Sequence, residues 1–203
     1  MLRILVVDDH PVVRQGLKYI LSGEPRIGLV GEASSSQEAL NLIRTSPWDA
    51  VILDIAMPGR GGLDILKELK RDFPKLPVLI LSMHPEEQYA MRALKEGAAG
   101  YMNKESAPYD LLTAIKKITR GGKYISPALS EKLLFIIDAD KPLYESLSNR
   151  EFQVMLLIAS GKGISRIADE MSLSVKTVGT YRTRILEKLN VTNNAEIMRY
   201  AID

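Results

Sequence analysis

Apolar and polar positions along this chain follow two different rhythms. Through the first 120 residues, short unbroken apolar runs alternate with amphipathic stretches of helical period. The apolar runs at 2–7, 27–30, 50–53, 78–81 and 100–102 predict five strands. Patterns near 12–22, 36–45, 62–72, 86–95 and 108–119 predict helices between them. Runs without polar interruption suit strands covered on both faces. Strict strand–helix alternation with short links therefore predicts an α/β doubly wound, five-stranded parallel sheet.

After "TRGGKY" the rhythm changes. Residues 127–137, "PALSEKLLFII", predict one more helix, and "DADKPLYES" reads as a polar, proline-containing linker. From Ser148 onward every pattern is helical. Ser148 and Glu151 have capping-box spacing, and Phe152, Met155, Leu156 and Ala159 follow at helical intervals. Gly161 and Gly163 stop that helix, while Ile164, Ile167, Ala168 and Met171 mark a short second one. Ser174 and Asn193 are placed to cap a third and a fourth. The expected division is a first domain at 1–120, a linker at 121–146 and a small all-α four-helix domain at 147–203.

Composition narrows the chemistry. The 46% hydrophobic and 26% charged residues are ordinary for a globular chain, and the net charge of +2 requires any basic patch to be local. With no cysteine, disulfides, thiol catalysis and thiolate metal sites are excluded. No apolar run approaches the roughly 18 residues of a membrane span. "MLRILVVDDH" meets acid too early for a secretory signal, so a cytoplasmic protein without membrane association is expected.

Ligands of parallel α/β sheets sit outside the carboxyl ends of the strands. Asp8 and Asp9 follow the first strand, Asp54 closes the third, Ser82 ends the fourth and Lys104 lies just past the fifth. One strand-end aspartate is usually a turn-former, but five polar side chains at one rim need another reason. Crowded carboxylates raise one another's pKa, a hard divalent cation relieves them, and oxygen ligands suit magnesium. A carboxylate nucleophile, a hydroxyl and a lysine are the parts that phosphoryl transfer uses. His10 and His84 flank the rim without a partner histidine at ligand spacing and read as loop residues.

The segments "DDHP", "LDIAMPG", "LSMH" and "GYMNK" resemble the flavodoxin-like receiver domain of two-component response regulators, in wording closest to the NarL/FixJ class. The resemblance implies that Asp54 is the phosphoacceptor for a sensor histidine kinase. It implies Mg2+ on Asp9, Asp54 and the backbone carbonyl of Ala56, with Asp8 acting mainly through water. Ser82 would be the switch hydroxyl, Tyr101 the aromatic rotamer partner and Lys104 the phosphate clamp. Glu105 stands where many receivers have proline. A phosphohydrolase of haloacid-dehalogenase type is the rival reading, but it needs a second aspartate two residues after the nucleophile, where Ala56 stands.

In "SLSVKTVGTYRTRILEKLNV", Val178, Tyr181, Ile185 and Leu189 form one helical stripe expected to face a core. The other face presents Lys176, Thr180, Thr183, Arg184 and Glu187, with Gly179 at its margin. A short helix, a tight "SLS" turn and this helix make a helix-turn-helix, whose second helix enters the major groove. The stretch from Leu147 to Tyr200 resembles a LuxR-type DNA-binding domain, with Gly179 and Tyr181 departing from the longer side chain and the histidine common there. By helical position, Lys176, Gly179, Thr180 and Thr183 would approach base edges of double-stranded promoter DNA. Thr177, Tyr181, Arg182 and Lys188 would make phosphate or flanking contacts. The implied protein is a phosphorylation-controlled transcription regulator rather than an enzyme, acting as a homodimer when phosphorylated, with Ile197, Tyr200 and Ala201 offering a pairing surface. A helical tail that binds protein or RNA is the other alternative.

Overall fold

The computed structural model describes residues 1–58, 61–83, 86–127, 129–131 and 143–202. The chain divides into two units, Met1–Ile137 and Asp138–Asp203.

The first unit alternates β1 (Leu2–Val7), α1 (Pro11–Ser22), β2 (Ile27–Ala33), α2 (Ser36–Thr45), β3 (Ala50–Asp54), α3 (Gly62–Asp72), β4 (Val78–Ser82), α4 (Glu86–Lys95), β5 (Gly100–Asn103) and α5 (Ala107–Ile118). All strands are parallel, in the order β2-β1-β3-β4-β5. Every residue of β3 and β4 is buried, which explains their unbroken apolar runs. A core of Ile4, Val6, Ile52, Leu79 and Leu81 packs against Leu17 and Leu21 of α1 and Leu111 and Ile115 of α5. The β2 strand runs three residues beyond the expected 27–30. It lies at the sheet edge, where Glu32 keeps its carboxylate on Lys18 at 2.8 Å while its backbone still pairs with Val6. Tyr124, past the expected boundary at 120, is a core residue, and its backbone pairs with the free edge of β5 through Tyr101 N–H to Tyr124 O at 3.1 Å and Tyr124 N–H to Ala99 O at 2.9 Å. Pro127 and residues 129–131 are helical; the rest of the helix expected at 127–137, linker residues 138–142, and His84 lie outside the described residues.

The second unit holds α6 (Asn149–Ala159), α7 (Ile164–Met171), α8 (Val175–Leu189) and α9 (Asn194–Ile202). Ser148 and Glu151 form the capping box, Ser174 caps α8 through the Thr177 N–H at 3.0 Å, and Asn193 accepts from the Glu196 N–H at 3.0 Å. The α6 helix is buried on more than one stripe, because Val154, Leu157 and Ile158 are buried beside Phe152 and Met155. It is the central helix, packed against α7, α8 and α9, and a single amphipathic face does not describe it. Ile197 is fully buried and closes this core, and Tyr200 Oη accepts the Tyr144 N–H at 3.2 Å. The pairing surface expected on α9 therefore loses its central residue to the domain's own packing.

Close approach governs the loop after β3. A Cβ on Gly62 would stand 2.5 Å from Ile55 Cα and 2.8 Å from the Asp54 carbonyl oxygen, inside van der Waals contact with backbone. Gly62→Ala is expected to lower the stability of the first unit by about 2 kcal/mol in urea titration, as overpacking does.

Candidate functional site

Strand register builds the first site. Val7 lies opposite Leu53, Asp54 opposite Leu81 and Ser82 opposite Asn103, so the residues at or just past these pairs share one edge of the sheet. Asp8 and Asp54 are each 1% exposed and Ser82 is fully buried. Lys104, anchored by its N–H on the Ser82 carbonyl at 2.9 Å, extends its ammonium to Asp8 Oδ2 and to Asp54 Oδ2, 2.7 Å from each. Asp54 Oδ1 accepts the Ala56 N–H at 3.0 Å, which holds the loop peptide beside the carboxylate. Tyr101, fully buried in β5, is one strand away from Ser82.

Burial pushes the Asp54 carboxyl above its ordinary pKa, against Lys104 and the Ala56 N–H; the charge of Asp8 adds to the rise. Burial pulls the Lys104 ammonium down, but Asp54 and Asp8 outweigh it and hold it above the usual lysine value. One lysine does not balance the site. Asp8, Asp9 and Asp54 carry three carboxylates against one ammonium, with donor atoms, including one on His10, all within 4.8 Å of one another. Asp8 Oδ2 and Asp9 Oδ1 are buried without a well-directed hydrogen bond; Lys104 Nζ lies 2.7 Å from the first and His10 Nδ1 3.0 Å from the second. Two uncompensated negative charges and oxygen donors with spare capacity fit a divalent cation. The expected place of His10 beside the rim is met, but the contact of its ring with both acids is not legible in the sequence. Its own N–H binds Asp8 Oδ1 at 2.8 Å, and this turn brings the ring back onto the acidic pair.

The helical unit brings its residues together differently. Lys176, Thr180, Thr183, Arg184 and Glu187 are exposed on one face of α8, and Val178, Ile185 and Leu189 are buried on the other. Tyr181 is only partly buried, at the edge of the stripe rather than within it. The Thr177 hydroxyl lies 2.7 Å from the capping Ser174 hydroxyl. Two cations have internal partners that sequence spacing does not reveal. Arg182 Nε donates to Asn194 Oδ1 at 2.6 Å, and Lys188 Nζ reaches Glu151 Oε2 at 2.6 Å. Gly179 has open space where a Cβ would stand, with nothing within 4 Å of it. Among the described residues, no helix is long and apolar enough to cross a membrane.

A five-stranded 2-1-3-4-5 parallel sheet with an acidic carboxyl edge, followed by a helix-turn-helix unit, defines a class. The family model for the response regulator receiver domain matches residues 4–116, and that for bacterial regulatory proteins of the luxR family matches 145–201. This chain belongs to the two-component response regulators of the NarL/FixJ class, transcription regulators with a LuxR-type DNA-binding domain. It is 36% identical over 205 residues to the response regulator UvrY of Escherichia coli K12, covering all of this chain and 94% of that protein. It is 37% identical over 206 residues to the response regulator GacA of Pseudomonas aeruginosa, covering 100% and 96%. Among solved structures it resembles RcsB of Salmonella enterica serovar Typhimurium bound to promoter rprA in the presence of phosphomimetic BeF3-. There the TM-score is 0.71 at 27% identity, over 100% of this chain and 98% of that one. A structure of two RcsB dimers bound to two parallel DNAs matches with a TM-score of 0.64 at 28% identity, over 99% and 98%.

Burial pushes Glu151 up, but Lys188 and the Ser148 cap outweigh it and hold its pKa below 4.5. A depressed folded value means that this contribution is complete above the unfolded pKa and is lost as pH falls through the folded one. Lys188→Ala should therefore speed amide exchange in α6 and α8 by about 5–30-fold near pH 7, for a loss of about 1–2 kcal/mol. The difference from the parent protein should shrink as pH falls through the depressed Glu151 value, below the ordinary glutamate range.

Proposed function

We propose that this protein accepts a phosphoryl group on Asp54 from the phosphohistidine of a sensor histidine kinase and responds by binding promoter DNA as a homodimer in the cytoplasm. The observation that carries this reading is the ammonium of Lys104, 2.7 Å from both Asp54 and Asp8 at the carboxyl edge of the sheet. An Asp54 oxygen attacks phosphorus while the P–N bond to the kinase histidine breaks, its electron pair staying on the imidazole. Lys104 then exchanges a carboxylate oxygen for a phosphoryl oxygen and keeps its charge compensated. Ser82 offers its hydroxyl to the same group, and Tyr101 in the next strand is the aromatic partner of that shift. Asp8, Asp9, Asp54 and the Ala56 carbonyl are the residues that would hold Mg2+. When bound, magnesium offsets the negative charge that builds on the transferring oxygens.

In this reading the expected input domain at 1–120 extends through the Tyr124 seam, the stretch from there to 146 is the linker and 147–203 is the output domain. Lys176, Gly179, Thr180 and Thr183 face base edges. Thr177, Tyr181, Arg182 and Lys188 lie at phosphates or flanks, the last two also bracing α8 from within. One recognition helix reads few base pairs, so a specific site takes two copies. The promoter-bound, phosphomimetic state and the DNA-bound dimers of the similar RcsB support the sequence of events.

Asp54→Asn is expected to yield no phosphoprotein with acetyl phosphate; undiminished labelling would falsify the assignment. Asp9→Ala should weaken magnesium binding by at least about tenfold in calorimetric titration. Thr180→Ala should alter the ranking of operator variants in mobility-shift assays, whereas a uniform loss across all sequences would contradict a base contact.

A further inference from the structure

The edge of the receiver sheet opposite Asp54 carries a second concavity, of about 720 Å³. Leu2, Asp49, Pro77 and Ala99, at the entries to β1, β3, β4 and β5, place it at the amino ends of the strands. That volume lies within the roughly 300–1,000 Å³ of small-molecule sites. Phe73 and Leu76, both part-buried, give it apolar walls.

Its charge is one-sided. Lys70, Lys75 and Lys123 line it against the single carboxylate of Asp49, and Asp49 Oδ2 already accepts the Arg3 N–H at 2.7 Å. The stem of Lys70 lies across Gly97, whose φ of +96° is left-handed and whose missing Cβ would meet Lys70 Cγ at 3.2 Å. The Lys70 ammonium donates to the neutral carbonyl of Leu76 at 2.5 Å. Among the described residues, the side chains of Lys75 and Lys123 have no ion-pair or hydrogen-bond partner. Several cations elsewhere on the same unit meet carboxylates, as Lys18 meets Glu32, Arg44 meets Glu68 and Lys116 meets Glu24, whereas in the groove three lysines share one acid. Burial first, and then the positive charge of Lys123, hold the Lys70 pKa below its ordinary value. Three cations against one carboxylate in a concavity with apolar walls are stabilised by an incoming anion.

We infer that this groove binds a small organic phosphate, with its phosphoryl oxygens on Lys70 and Lys123 and its organic part against Phe73 and Leu76. Trp48, the chain's only tryptophan, lines the groove and serves as the reporter. The full-length protein is titrated with ATP and with pyrophosphate at constant ionic strength without magnesium, by Trp48 fluorescence and in parallel by equilibrium dialysis. ATP should bind saturably and more tightly than pyrophosphate. Lys70→Gln and Lys123→Gln should each weaken ATP by about tenfold or more, the loss of one charge-assisted contact, while Lys18→Gln leaves it unchanged. Circular dichroism checks each variant, and Lys123→Gln, at an exposed position, carries the test if Lys70→Gln fails to fold. Non-saturable dialysis, equal affinity for pyrophosphate and ATP, or binding indifferent to both lysine substitutions would overturn the inference.

Discussion

Two carboxylates that are almost wholly buried, side by side at the end of neighbouring strands, are stable only with positive charge between them. Lys104 provides it, sharing one ammonium between Asp8 and Asp54. Much of the receiver's architecture serves this contact. The parallel register brings β1, β3, β4 and β5 to a common edge, and Lys104 is tied by its own N–H to the strand that ends in Ser82. The pairing is incomplete by design of charge: an ammonium matches one of three acids. The remaining negative charge makes the edge receptive to a cation.

The helical unit solves a similar problem with a different result. Glu151 closes the capping box of α6 through the Ser148 N–H at 2.8 Å and also receives Lys188 from the last turn of α8. One buried carboxylate thus joins the start of the central helix to the far end of the recognition helix. Arg182 ties the middle of the same helix to the start of α9. The exposed face is then left to Lys176, Thr180, Thr183 and Arg184, mounted on a helix whose position is set elsewhere. The side chains that fix the helix in its domain and those on its open face are different ones.

The legible parts of the sequence were those whose cause is local. Buried parallel strands need unbroken apolar runs, so β1, β3, β4 and β5 could be read to within a residue, and the α2, α3 and α4 spans were met in full. Ser148, Ser174 and Asn193 announced their helices because capping chemistry acts within three residues. The rim of polar residues was legible because parallel topology forces strand ends together. Most of what the sequence left hidden depended on partners distant in the chain. The end of β2 is set by pairing with β1, the double burial of α6 by three neighbouring helices, and the Glu151–Lys188 contact joins residues 37 apart. His10 joined the acidic cluster through a turn geometry that no periodicity encodes.

The short pairing between Tyr124 and the outer edge of β5 bears on how the protein is dissected. Gly100 leaves room for it, since a Cβ there would stand 2.6 Å from the Tyr124 carbonyl oxygen. A recombinant fragment ended at residue 120, where the sequence rhythm changes, would strip the cover from the Ala99 carbonyl and the Tyr101 N–H. It would also open the apolar space that Tyr124 fills. An uncovered strand edge beside exposed apolar surface is a template for adding strands from other molecules. Self-association of such a fragment would then come from the cut itself and could be mistaken for signalling, whereas a fragment carried past Ser126 keeps that seam closed.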